Sequence, residues 1–333
     1  MPPRSDWLAQ ITEDIIDPDR PIVDAHHHFW HDNPRRGYSY LLEDLWADTS
    51  SGHNIVQTVF VECGADYRED GSEEMRPVGE TPFVADLAAR SAADEGASVA
   101  AIVGHANIAL GADVKPVLEA HIDAGNGLFR GIRHHASWDA SPDVPNSRIE
   151  PPPHLYVSEG FQQGVRQLGE MGLSFDAWCY HPQIPEVVAL AKACPETTII
   201  LNHLGGVIGI GPYAGRREEI FETWKESHSA LGECSNVYGK LGGLAQGVNG
   251  AGWEDRDLPP TSDEIADHQR AYYLHAIEVL GPDRCMFESN FPVEKESVSY
   301  HVLWNAFKKI AADFTDGEKD DLFRGSAVRA YRL

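Results

Sequence analysis

Short apolar or β-branched runs alternate along the chain with segments in which apolar residues recur at helical spacing. Pro82–Glu95 and Asp263–Leu280 are two segments of the helical kind. Eight strand-like runs, each followed by a helical segment, predict a parallel sheet closed into a (β/α)8 TIM barrel of the α/β class. The predicted strands are Ile22–His28, Thr58–Cys63, Val99–His105, Phe129–His134, Ser174–Tyr180, Thr197–His203, Asn236–Leu241 and Cys285–Ser289.

No Gly-Ser linker, internal repeat or low-complexity tract divides the chain. The sequence therefore predicts a single domain over residues 1–333, with residues 1–20 as an N-terminal extension. Long loops are expected at Gly64–Thr81, Ala140–Ser158 and Ile208–Arg217. Since loops that follow barrel strands lie on the C-terminal face, we expect these three to shape the substrate pocket.

The charge balance limits the class of partner. The 27 Lys and Arg residues against 52 Asp and Glu give a net charge of −25, which repels nucleic acid and anionic membrane surfaces. The five cysteines form no Cys-x-x-Cys pair, and no apolar run is long enough to span a bilayer or serve as a secretion signal. We therefore expect a cytoplasmic protein with a small-molecule substrate, and the sequence leaves a homo-oligomer open.

Candidate chemistry starts at the segment DAHHH (24–28), which ends the first predicted strand. Strand alternation points His26 and His28 to the same side, and neutral imidazole is a common zinc ligand. A structural hydrogen-bonding cluster explains the same pattern. Barrel closure would bring further polar groups beside these histidines, which favours a catalytic cluster. These groups are Tyr180-His181-Pro182, Asn202-His203 and Glu288-Ser289-Asn290.

Five motifs together resemble the amidohydrolase superfamily, in the amidohydrolase-related branch that includes sugar-acid lactonases, pyrone-dicarboxylate lactonase and some decarboxylases. They are IVDAHHHFW (22–30), FRGIRHHASWD (129–139), LNHLGG (201–206), KLGGL (240–244) and MFESNFPV (286–293). The motifs span nearly the whole chain. They are typical of the family but do not specify a substrate.

The resemblance implies roles for particular residues. His26 and His28 would hold a metal or polarise the substrate, and His203 would face the scissile bond. Arg130 or Arg133 would bind a substrate carboxylate or oxygen atom, and His181 resembles the metal ligand of the decarboxylase relatives. The implied cofactor is one divalent ion, with zinc expected first. The alternative is a metal-free site in which histidines and arginines polarise the substrate directly.

The chain departs from the family at the eighth strand, where Gly-Ser-Asp is usual and Glu288-Ser289-Asn290 stands instead. Asparagine cannot act as a base, so Glu288, two residues away on the same face, is the expected substitute. A charge partner for a barrel Arg or Lys is the other interpretation of Glu288.

The fourth strand also lacks the carbamylated lysine that bridges two metals in some relatives, which favours one metal or none. Lys240 lies on the seventh strand instead. It is expected either to contact the substrate or to pair with Glu288 or Glu62.

These observations predict a hydrolase that opens a lactone by metal-assisted or His/Arg-assisted attack of water. Catalysis is assigned to His203, Glu288 and Asn290. A decarboxylase of aromatic or enoic acids on the same barrel is the alternative, because bond breaking in that reaction needs no hydrolytic water. A ligand-binding protein with a decayed site is the third interpretation, for which Asn290 is the support.

Overall fold

The computed structural model of the chain describes residues 3–33 and 37–333. Its central element is a sheet of eight parallel strands, each hydrogen-bonded to the next in chain order. The strands are β1 (Ile22–His27), β2 (Ile55–Val61), β3 (Ser98–Gly104), β4 (Phe129–His135), β5 (Ser174–Trp178), β6 (Ile199–Leu201), β7 (Val237–Leu241) and β8 (Cys285–Phe287). Each overlaps one of the eight predicted strands, so the predicted barrel is confirmed.

Helices follow the strands around the outside of the sheet. The main ones are α1 (Leu42–Thr49), α2 (Glu80–Ala92), α3 (Lys115–Ala124), α4 (Glu159–Glu170), α5 (Ile184–Ala193), α6 (Arg217–Ser229), α7 (Ser262–Leu280), α8 (Tyr300–Ile310) and α9 (Ser326–Tyr331). Shorter helical segments are Ser5–Leu8, His203–Gly206, Asp316–Asp320 and the π-helical turn Asp321–Gly325. No helix in the described residues is both long and apolar enough to cross a membrane.

The barrel closes between β1 and the segment that follows β8. The Asn290 amide donates to the His26 carbonyl at 2.9 Å, and the His28 amide donates to the Phe291 carbonyl at 2.8 Å. These two bonds hold the HHH segment at the end of β1 against the Glu-Ser-Asn segment that follows β8. The sequence motifs at the two ends of the sheet are therefore neighbours.

Two apolar layers stabilise this arrangement. The larger layer fills the space between the sheet and the surrounding helices. The smaller one lies among inward-facing barrel residues such as Val23, Val59 and Met286, and it also includes Ala327 and Tyr331 of α9. Helix α9 thus contributes side chains to the interior of the barrel, opposite the loops that carry the candidate site.

The sequence analysis missed one feature of the fold, an antiparallel pair of short strands at Trp30–Asn33 and Tyr38–Tyr40. The predicted strands Thr197–His203 and Cys285–Ser289 also end two residues later than β6 and β8 do in the structure. His203 and Asn290 both have a left-handed backbone, each with φ 54°. The chain therefore turns out of the sheet before it reaches either residue, which ends the strands earlier than the apolar pattern suggests.

Candidate active site

Three buried side chains from different strands meet at the carboxyl ends of β1, β6 and β8. The Glu288 carboxylate lies between two imidazoles, with Oε1 2.7 Å from His203 Nδ1 and Oε2 2.8 Å from His26 Nδ1. The His203 backbone amide donates to Glu288 Oε1 at 3.1 Å. Among the described residues, no contact at Glu288 Oε2 has the geometry of a hydrogen bond, including that of His26 Nδ1. We call His26, His203 and Glu288 the central cluster.

Two glycines after β7 make room for the central cluster. A Cβ atom at Gly242 would lie 2.4 Å from Glu288 Cγ, and one at Gly243 would lie 2.3 Å from the His203 ring. Gly243 also has a positive φ of 70°, a conformation that other residues rarely adopt. The glycines of the KLGGL motif therefore allow the close approach of β7 to the two functional side chains.

We expect Gly243→Ala to lower kcat/KM by about 100-fold, because the added methyl group displaces the His203 ring. The positive φ should also cost about 1 kcal/mol of unfolding free energy. Gly172→Ala is the matched control, since Gly172 has φ 68° and no atom within 4 Å of the added Cβ. It should show only the stability loss of about 1 kcal/mol that the positive φ causes, with full activity. Equal activity of the two variants would contradict the packing role of Gly243, as measured by steady-state kinetics and thermal unfolding.

His26 is surrounded by charged groups. Arg133 Nη1 lies 3.1 Å from its Nε2, and Lys240 Nζ lies 3.4 Å from its Nδ1. Burial, together with Lys240, His203, His28 and Arg133, holds the pKa of His26 well below its usual range. The His26 imidazole is therefore neutral at pH 7, as a metal ligand or a hydrogen-bonding hub requires.

A second buried network, missed by the sequence analysis, is built on Glu62 at the end of β2. Its carboxylate accepts from Arg133 Nε at 2.9 Å, lies 2.7 Å from His135 Nε2 and contacts Arg148 Nη2. Burial opposes the charge of Glu62, but Arg148 and Arg133 hold its pKa well below the usual range. This network fixes the guanidinium of Arg133 against His26. An acid at the end of a predicted strand was the signal that could have revealed it.

Lys240 pairs with neither Glu288 nor Glu62, which corrects both expected pairings. Its ammonium donates to Asp176 Oδ2 at 2.9 Å, and both side chains are fully buried. Lys240 is fully buried, as Glu288 and His26 are, so its contact with a substrate stays a prediction. Asp176 lies in the middle of β5 rather than at its end, so a pattern of polar residues at strand ends does not include it.

His28 and Asn290 lie next to the central cluster without joining it. The ring of His28 stands edge-on to His26 at 4.8 Å, its Nδ1 lies 2.7 Å from the Val61 carbonyl, and its Nε2 lies 3.3 Å from Asn290 Oδ1. Asn290 Nδ2 donates in turn to Glu294 at 3.2 Å. Both ring nitrogens of His28 thus contact the protein, and His28 does not belong to the group of three residues whose ligand atoms lie within 4.8 Å of one another.

His181 and Arg130 also lie outside the central cluster. His181 Nδ1 accepts from the Ile208 amide at 3.2 Å, and its ring packs against Tyr213. Arg130 lies near the amino end of β4, where its Nη1 donates to the Gly127 and Phe129 carbonyls. Of the two arginines suggested for the site, the structure brings Arg133 to it and not Arg130. Of the metal ligands suggested, it brings only His26 into the cluster, together with His203 and Glu288.

A cavity of about 420 Å³ opens beside the site, and the side chains around it include His135, Arg148, Trp178 and Tyr180. The Trp178 ring stands edge-on to His203 at 4.7 Å between ring centroids. A second cavity of about 610 Å³ shares Arg148 and is also lined by Tyr67. The predicted loops Gly64–Thr81 and Ala140–Ser158 thus line these cavities, whereas Ile208–Arg217 lines neither.

The central cluster has the donor set of a mononuclear metal site. His26, His203 and Glu288 each offer one ligand atom, and these atoms lie within 4.8 Å of one another. Two imidazoles and a carboxylate are ligands that zinc accepts. Glu288 Oε2 is also a buried oxygen with no contact of hydrogen-bond geometry among the described residues. The residues therefore fit one divalent ion. The cations of Arg133 and Lys240 beside His26 disfavour a second.

Comparison with known proteins identifies the family. Residues 23–333 match the family model described as Amidohydrolase. The chain belongs to the amidohydrolase family. The uncharacterized protein y4mH of Sinorhizobium fredii is 32% identical over 334 residues, which cover 95% of this chain and 99% of that protein. An L-fucono-1,5-lactonase of Burkholderia multivorans is 25% identical and covers 93% of this chain and 96% of its own length.

Solved structures show the same fold. A Burkholderia multivorans amidohydrolase crystallised with bound zinc superposes with a TM-score of 0.72 at 22% sequence identity. The alignment covers 94% of this chain and 99% of that one. The family and the lactonase-named relatives establish this amidohydrolase as a hydrolase enzyme.

Proposed function

We propose that this amidohydrolase opens a lactone, with a polyhydroxylated sugar-acid lactone as the first substrate class to test. One observation carries the proposal: the buried Glu288 carboxylate lies between His203 and His26 at the catalytic end of the barrel, and no contact at its Oε2, not even that of His26 Nδ1 at 2.8 Å, has hydrogen-bond geometry among the described residues. Such a carboxylate oxygen can accept the proton of an attacking water. The L-fucono-1,5-lactonases among its relatives support the substrate class.

In the proposed reaction, the oxygen of water attacks the lactone carbonyl carbon while Glu288 Oε2 takes its proton. The ring C–O bond then breaks, and Glu288 returns its proton to the leaving alkoxide, which gives the open hydroxy acid and restores the carboxylate. Arg133, fixed by Glu62, supplies positive charge beside the central cluster for the developing oxyanion or a substrate carboxylate. His203, packed on Trp178, faces the cavity side of the cluster.

His26, His203 and Glu288 are the residues that would hold one zinc ion. When bound, such an ion polarises a carbonyl and makes water more acidic. The amidohydrolase superfamily generally binds metal, which supports this part of the proposal.

Decarboxylation has weaker support in this chain. The interpretation rested on His181 as a ligand and on the missing Asp of the eighth strand, and of these two supports the first is lost because His181 bonds to the Ile208 amide instead of joining the central cluster. Decarboxylation is therefore an alternative outcome of the experiment described next.

The proposal is tested with a panel of aldonolactones in a weakly buffered indicator assay, alongside headspace CO2 from aromatic carboxylic acids. The protein is assayed as purified and after zinc addition, and its zinc content is measured by elemental analysis. We expect acid release from at least one lactone, no CO2, and zinc near one equivalent per chain. CO2 release without lactone opening would overturn the proposed reaction, and full activity without metal would overturn the zinc assignment.

A further inference from the structure

A buried tyrosine connects the far side of the barrel to the central cluster. Tyr331, in helix α9, is fully buried among the inward-facing barrel residues. Its hydroxyl lies 2.8 Å from Asp176 Oδ2 and 3.0 Å from Asp176 Oδ1. A helix that follows the last strand thus delivers a hydroxyl group to the core of the barrel.

From Asp176 the contacts continue to the candidate site. Asp176 Oδ2 accepts from Lys240 Nζ at 2.9 Å, and Lys240 Nζ lies 3.4 Å from His26 Nδ1. The Lys240 ammonium also lies 5.2 Å from the centroid of the Tyr331 ring. Tyr331 therefore contacts both members of the buried ion pair, and Lys240 is the member that reaches His26.

We propose that Tyr331 is a positioning residue that holds the Lys240 ammonium against His26 by fixing the Asp176 carboxylate. Asn202 and Lys240 both donate to Asp176 Oδ2, whereas Tyr331 is the donor to Oδ1 in the described part of the chain. Without the hydroxyl, Asp176 Oδ1 loses its hydrogen bond, and the carboxylate, held only through Oδ2 among the described residues, can turn about that end. The Lys240 ammonium follows the carboxylate, because both groups are buried and have few other partners.

This inference uses the proposed function for its kinetic test. Because Lys240 lies 3.4 Å from His26 Nδ1 in the central cluster, a displaced ammonium should alter turnover rather than substrate binding. A tyrosine that only fills space would lower stability without separating kcat from KM.

The test compares Tyr331→Phe, which keeps the ring and removes the hydroxyl, with Tyr273→Phe. Tyr273 is an equally buried tyrosine whose hydroxyl donates to Gln269 at 3.0 Å. We expect Tyr331→Phe to lower kcat about tenfold with KM within threefold of wild type. Tyr273→Phe should keep kcat while losing comparable thermal stability. Equal kcat values for the two variants would overturn the proposal.

A double-mutant cycle tests whether Tyr331 acts through the ion pair. In a chain that carries the neutral pair Asp176→Asn with Lys240→Gln, adding Tyr331→Phe should change kcat less than about twofold. An undiminished tenfold loss in that background would overturn the route through Lys240.

A measurement without substrate separates this proposal from the proposed function. In protein labelled with ¹⁵N-histidine, the His26 ring signals, assigned with His26→Gln, should shift in Tyr331→Phe and stay in place in Tyr273→Phe. Unshifted His26 signals in Tyr331→Phe would overturn the positioning role even if the enzyme opens lactones. Shifted signals in an enzyme that opens none would overturn only the proposed reaction.

Discussion

Glu288→Gln is expected to lower kcat for lactone opening by about 10³-fold, because an amide cannot accept the proton of the attacking water. The substitution keeps the size of the side chain, so the folded state should persist. Purified variant and wild type are compared by initial rates at saturating substrate and by thermal unfolding.

Glu294→Gln is the matched control for this variant. Glu294 is also a buried carboxyl group, held by the Ala245 amide and Asn290. Burial raises its pKa to about 8, so it is largely protonated at pH 7 and glutamine is a close mimic. Glu294→Gln should keep kcat within about threefold, because a neutral amide replaces a carboxyl group that is already largely uncharged. If Glu288→Gln also kept its activity, Glu288 would not be the proton acceptor.

Arg133→Met is expected to reduce both activity and stability. It removes the guanidinium beside His26 and one of the partners of the buried Glu62 carboxylate. Breaking a buried ion pair on one side typically costs about 3–5 kcal/mol of unfolding free energy, and Arg148 and His135 should keep the loss near the lower figure. We expect kcat/KM to fall at least about 100-fold.

Arg130→Met, on the same strand, is the control for this prediction. Among the described residues, the Arg130 side chain bonds only to backbone carbonyls near the start of β4, so its replacement should cost less than about 1 kcal/mol and leave kcat/KM within about twofold. Urea unfolding and steady-state kinetics measure both variants. Equal losses of stability and of kcat/KM in the two variants would contradict a specific role for Arg133 in the site.

The sequence predicted the barrel well because its strands are continuous apolar runs with helical segments between them. It also placed His26, His203 and Glu288 at strand ends that closure brings together. The strand ends themselves were less predictable, since left-handed residues such as His203 and Asn290 turn the chain out of the sheet. Strand alternation puts His26 and His28 on one side, but it cannot reveal that His28 is engaged by Val61 and Asn290.

Long-range polar partners were the part that the sequence could not supply. Arg148 reaches Glu62 from a loop with no regular spacing, and Lys240 pairs with Asp176 across the barrel. Tyr331 reaches the same carboxylate from the last helix. Each contact depends on tertiary packing rather than on a local pattern. From the sequence alone, several charged residues are therefore equally good candidates for each partner.

Isotope transfer tests the central claim most directly. The wild-type enzyme is given a lactone substrate in H₂¹⁸O, and the product is analysed by mass spectrometry, with Glu288→Gln as the reference for uncatalysed opening. Water attack at the carbonyl predicts one ¹⁸O atom in the product carboxylate, none in the new hydroxyl group, and a rate far above that of Glu288→Gln. An unlabelled carboxylate, or labelling no faster than in Glu288→Gln, would contradict hydrolysis at this site.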